Sequence, residues 1–137
     1  MSIETVEHDG RRYAEVIWSD TRVETTTFFS PAESSFQFGL LAHGAGFVER
    51  PHYHREFERT IRDLQQMFVV QRGVVAVDLY ADSGDLIREL VLHAGDAIVL
   101  IHGVHSIRVI EDMQCISVKQ GPFLGVEFDK VDVDVKR

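Results

Sequence analysis

The stretch Gly46-Phe47-Val48-Glu49-Arg50-Pro51-His52-Tyr53-His54 decides how the rest of the chain is read. In extended backbone, alternate residues point to the same side, so His52 and His54 present two imidazoles together while Tyr53 faces away. Such a pair suits a divalent metal. Pro51 leads into what reads as a strand carrying the pair. A third histidine, His105, comes much later, just after the turn-like Ile101-His102-Gly103-Val104. The three are expected to close on one metal ion inside a small β-barrel.

Outward from this stretch, the punctuation is that of an all-β chain. Short runs rich in Val, Ile and Phe are separated by Gly, Asp and Ser clusters. Strands are expected at 12–18, after a His8-Asp9-Gly10 turn, and at 23–29 and 36–42, either side of a break at Ser30-Pro31-Ala32-Glu33-Ser34. Residues 55–63, six of nine charged, read as a solvated loop or a short helical turn. Residues 64–70 and 74–80 read as a hairpin about Gln71-Arg72-Gly73. After the tight turn Asp82-Ser83-Gly84-Asp85, strands follow at 87–92, 97–101, 105–110 and 114–119. The tail at 127–135 alternates apolar and charged residues, as an edge strand with one wet face would. No segment sustains a helical apolar period. Several strands are apolar on both faces, so both faces need a cover, from a second sheet or from a partner subunit.

The 137 residues fit one domain spanning 1–137. Composition is ordinary for a globular protein, with 45% hydrophobic and 26% charged residues. No apolar run reaches the length of a membrane span, and Met1-Ser2-Ile3-Glu4 is unlike the start of a signal peptide. Cys115 is the only cysteine. It stands in an apolar stretch, as a small buried hydrophobe would, and a chain without a disulfide is read as cytoplasmic. A net charge of −8 argues against nucleic acid and anionic membrane as partners.

The glycines and histidines together resemble the two signature motifs of the cupin superfamily. Gly46, five residues, and His52-Tyr53-His54 match the opening of the first motif, and Gly73 closes it. Gly95, five residues, Ile101-His102-Gly103 and then His105 resemble the second, which runs to Val109. The resemblance implies a cupin-type jelly-roll β-barrel with motif 1 at 46–73 and motif 2 at 95–109. It also implies a metal held by His52, His54, His105 and a fourth ligand.

This chain departs from the family at several points. Eleven residues separate His54 from Gln66, Gln66 stands where the family has Glu, Ile101 replaces the turn Pro, and Val109 replaces the Asn. Counting back from Gly73 favours Gln66 as the fourth ligand, whereas counting forward from His54 gives Glu58. With Gln66 in place, Gln66, Phe68 and Val70 share the barrel interior, and Gln65, Met67 and Val69 face outward.

Three neutral imidazoles and one neutral amide leave the charge of a divalent ion uncompensated. The set would therefore favour an anionic or carbonyl-bearing small molecule and would lower the pKa of bound water. It does not choose among Fe, Mn, Zn, Ni and Cu. The first expectation is a small metal-dependent enzyme with isomerase or epimerase chemistry on a sugar-like or acidic metabolite, in a homodimer. An Fe, Ni or Cu dioxygenase is the second, and a non-catalytic metabolite-binding or sensing domain the third. His102, His43 and Lys119 are the candidate catalytic residues. Arg55, Arg59 and Arg62 are candidates for an anion clamp at the barrel mouth.

Overall fold

The computed structural model describes residues 3–136. The chain is all-β, with one four-residue helical turn. Its elements are β1 (Glu4–His8), β2 (Arg11–Ile17), β3 (Thr27–Phe28), β4 (Gly39–Leu40), β5 (Gln66–Tyr80), β6 (Leu86–Leu92), β7 (Ala97–Leu100), β8 (Val104–Lys119) and α1 (Val126–Asp129). No helix among the described residues is long and apolar enough to cross a membrane.

The main sheet is antiparallel, with strand order β1-β2-β7-β5-β6 and β8 on the far edge of β5. Asp9 and Gly10 both take positive φ, at 50° and 72°, and so make the tight turn between β1 and β2 that the sequence marks. β1 itself was not foreseen. Gly84 closes the next expected turn, donating from its N–H to the Ala81 carbonyl at 2.8 Å.

Strand β5 corrects the expected hairpin at Gly73. It is one continuous strand of 15 residues, and β8, opposite it, is one strand of 16 rather than two. Gly73 takes φ 87°. A Cβ there would lie 2.2 Å from the Asp112 carbonyl oxygen. The ladder register shifts three times between Val70 and Val75. Gly73 thus serves a bulged bend within the β5/β8 ribbon, not a reversal. Past this bend β5 changes its other neighbour: Gln66 to Val69 pair with β7, and Val75 to Tyr80 pair with β6. The result is a strongly curled sheet, a half-barrel.

Alternation sorts the two faces. The inner face packs Val16, Val70, Val77, Leu79, Leu92 and Ile98 into the main core, with Phe68, Ile107 and Cys115 against it. The opposite face carries Ile17, Ala97 and Val99, with Met67 and Val69 packed beside them. Its cover is the β3–β4 segment, which lays Phe38, Phe29, Phe36 and Leu40 across it. The expected division of Phe68 and Val70 from Met67 and Val69 is therefore present, and a second small sheet supplies the cover.

Strands expected at 23–29 and 36–42 shrink to two residues each. Side chains here take the backbone groups that a ladder would use. Ser30 Oγ accepts the Phe38 N–H at 3.0 Å, and Gln37 Nε2 donates to the Pro31 and Ser34 carbonyls. Residues 41–65 form no strand, so His52 and His54 stand on an irregular, mostly exposed segment instead of the expected one. The charged run 55–63 is the loop alternative of the two readings. Its density of charge favours solvation over pairing. The tail is likewise no edge strand. It makes α1 and then runs irregularly to a single bridge, Asp85 with Lys136.

Candidate metal and ligand site

A cavity of about 540 Å³ opens at the mouth of the curl. Gln66 and Phe68 of β5 and Ser117 and Lys119 of β8 line it as cross-strand partners, Gln66 opposite Lys119 and Phe68 opposite Ser117. The pairs lie two residues apart on each strand, so they share one face. His105 and Ile107, from the other end of β8, line the same cavity. A smaller recess of about 230 Å³, floored by Leu100 and Ile101, also touches Gln66 and His105.

Gln66 Nε2 lies 3.1 Å from His105 Nε2. The amide therefore donates to an unprotonated ring nitrogen, which requires a neutral imidazole with its proton on Nδ1. The electrostatics agree. Desolvation holds the His105 pKa below the ordinary imidazole value, although part of the ring meets solvent, and nearby Lys130 adds to the effect. The turn leading to His105 needs a glycine. Gly103 takes φ 85°, and a Cβ there would fall 2.4 Å from the Tyr13 ring.

His52 and His54 form a second pair, with ring centroids 5.2 Å apart in edge-to-face geometry. His52 Nδ1 donates to the Arg50 carbonyl at 2.9 Å. Nε2, 3.8 Å from Glu49 Oε1, is the nitrogen left to face a ligand, and a second-nitrogen contact to a carbonyl is how a metal-ligating histidine is usually held. Among the described residues no three His, Cys, Asp or Glu side chains converge as a metal-binding group. The structure thus joins Gln66 to His105 and His52 to His54, but does not join the two pairs. Glu58, on the exposed loop, does not line the cavity that holds Gln66.

The other candidates separate. Lys119 lines the cavity, 3.3 Å from Asp129 Oδ2. His102 borders the smaller recess, where its Nε2 meets Asp82 Oδ2 at 3.0 Å and its ring packs edge-on to Tyr13. His43 lines neither cavity. It stacks on Phe47 at 3.9 Å and contacts Thr26. Arg59 lies over its own neighbour Phe57 at 3.6 Å, and Arg55, Arg59 and Arg62 do not line either cavity.

Ser117, Asp129 and Lys130 are among the lining residues that sequence reasoning missed. Ser117 was within reach of it, since it stands two residues before Lys119 on one strand. Asp129 and Lys130 carry no such signal, because only the path of the tail brings them there.

The chain matches no known protein-family profile, no curated protein and no solved structure. The resemblance to the second cupin motif is also one residue short, because Val104 alone separates Gly103 from His105, where the family has two residues.

Proposed function

We propose that this chain is a metal-dependent protein of the cupin type, acting on a small anionic or carbonyl-bearing metabolite at the mouth of a closed jelly-roll barrel. The observation that carries the reading is the Gln66–His105 contact inside the cavity. Turned by 180°, the Gln66 amide would offer Oε1 where Nε2 now sits, 3.1 Å from the imidazole nitrogen. Two donors at that spacing fit adjacent positions on one ion with bonds of about 2.1 Å. The donor set is neutral and suits Fe, Mn, Zn, Ni or Cu.

Closure is the step that brings in the other pair. The outer edge of β8 has no strand partner among the described residues, and it exposes Val109, Ile110, Ile116 and Val118. An unpaired, apolar edge of this length accepts another strand readily. The segment 46–64 exposes Phe47, Val48, Tyr53 and Phe57. Laid along β8, it would close the barrel and carry His52 and His54 toward His105. The remaining exposed apolar residues, Leu41 and Leu124 among them, suit a homodimer.

A bound divalent ion would supply Lewis acidity toward a carbonyl, enediol or carboxylate oxygen, the basis of isomerase or epimerase chemistry. The chain's own residues do the rest. Lys119 offers a cation to an acidic group, Ser117 offers a hydroxyl, and the wall of Phe68 and Ile107 sheds water.

Zinc and manganese titration by calorimetry tests the reading on the apo protein. His105→Ala and His52→Ala should each abolish high-affinity binding and Gln66→Ala should weaken it, whereas Glu58→Ala should leave it unchanged. Full-affinity binding by His105→Ala would sink the proposal.

One observation favours a second reading, a non-catalytic metabolite-binding domain. Lys119 and Lys130 bring two ammonium groups to the cavity lining without an ion, beside Asp129 and Asp132. Ligand binding that persists undiminished in a chelator would support it.

A further inference from the structure

The tail after Gly125 runs along the cavity, and Asp129, Lys130, Val131, Asp132 and Val133 line it. It is tied down at two places. At one end, Asp129 Oδ2 accepts from Lys119 Nζ at 3.3 Å. At the other, the Lys136 N–H donates to the Gly84 carbonyl at 2.8 Å, with Lys136 Nζ 3.7 Å from Asp85. Over the first half of the strap apolar packing is thin. The turn α1 buries no residue, and Val126, Phe128 and Val131 are 61%, 77% and 88% exposed. A segment held by polar ties at its ends opens at small cost.

The inner tie has a particular chemistry. Lys119 is partly exposed, at 32% of its side chain, and Asp129 is more shielded, at 15%. Its ammonium also lies 5.1 Å from the Phe123 ring. The chain as a whole carries a charge of −8, so an incoming anion is repelled everywhere except where a cation is held in place. Lys119 is held in place, and a carboxylate already rests on it.

We propose that Lys119 is the anchor for the carboxylate of the cavity's ligand, that Asp129 is its built-in competitor, and that a small carboxylate binds by replacing Asp129 and releasing the strap 126–136. This rests on the reading above that the cavity takes a small anionic molecule, and it requires no metal. Release therefore exchanges one internal ion pair for one with the ligand.

Hydrogen exchange and calorimetry on the full chain, with malonate as the probe carboxylate, test the proposal. Asp129→Asn should speed amide exchange across 126–136 in the free protein. It should also tighten malonate binding by about two- to fivefold, the worth of a partly exposed ion pair. Malonate should speed exchange of the same amides in the wild type, and Lys119→Met should abolish its binding. Strap exchange unchanged by Asp129→Asn would overturn the proposal, as would malonate binding that leaves the strap protected. So would Asp129→Asn protein that fails to bind malonate. Loss of zinc binding with the malonate response intact would remove the metal reading alone.

Discussion

Gln66 and His105 touch at 3.1 Å, yet they belong to opposite ends of the β5/β8 ribbon. Gln66 pairs with Lys119, and His105 pairs with Leu79. Leu79 lies thirteen positions after Gln66 on β5, about 44 Å along a flat strand at 3.4 Å per residue. The contact therefore measures the curl directly. The bulges between Val70 and Val75 bend the ribbon until its two ends meet, and the cavity is the space at that meeting point.

The bend depends on Gly73. Gly73→Ala would place a Cβ against the Asp112 backbone, and any L side chain is strained at φ 87°. Unfolding in urea should show a loss of about 1–3 kcal/mol. A loss below about 0.5 kcal/mol, the range of an ordinary surface change, would mean that the ribbon bends without it.

Arg108 grips Asp78 across the same ribbon. Nε donates to Oδ2 at 2.7 Å and Nη2 to Oδ1 at 3.1 Å, and Nη2 also reaches Glu89 at 2.9 Å. The carboxylates raise the Arg108 pKa well above its ordinary value. The partners are unequal, because the Asp78 side chain is fully buried and that of Arg108 is 43% exposed. Arg108→Met leaves a buried carboxylate without its guanidinium, the costly way to break such a pair. Its melting temperature should fall, and adding Asp78→Asn to it should restore part of the loss. A double variant less stable than Arg108→Met would refute the assignment.

The exposed segment 41–65 offers trypsin Arg55, Arg59 and Arg62, while the Arg50–Pro51 bond resists it. Cleavage there should be fast in the apo protein, since an extended and exposed chain fits a protease. If His52 and His54 dock against β8 around an ion, saturating zinc should slow cleavage at all three sites, and His52→Ala should remove the protection. Equal rates with and without zinc, in protein shown to bind it, would argue that the loop does not close.

Burial raises the pKa of the Cys115 thiol above its ordinary value, consistent with its packing against the main core. The folded state thus holds the proton more tightly than the unfolded chain. This contribution to stability is complete below the ordinary thiol pKa and is lost as pH rises through the higher folded value. Alkylation by iodoacetamide should have a pH midpoint above that of a free cysteine. A midpoint at or below the free value would mark Cys115 as an activated thiol instead.

Local alternation, which is a property of neighbouring residues, made the β class legible in the sequence. The strands β2, β6 and β7 fall within a residue of the runs that predict them, and the faces of Phe68 and Val70 against Met67 and Val69 follow from the period of two. What chain neighbours cannot encode was misread or unseen. Gly73 looks the same in a hairpin as in a bulge, and only the unbroken ladder with β8 distinguishes them. The histidine pair reads as a strand, but strand formation requires a partner, and 41–65 has none among the described residues. The charged and apolar residues of the tail alternate, yet its course is set by distant groups, Lys119 at one end and Gly84 at the other. By itself the sequence determined which residues could face inward. Tertiary structure alone decided which of them meet, because the curl and the strap depend on contacts between residues far apart in the chain.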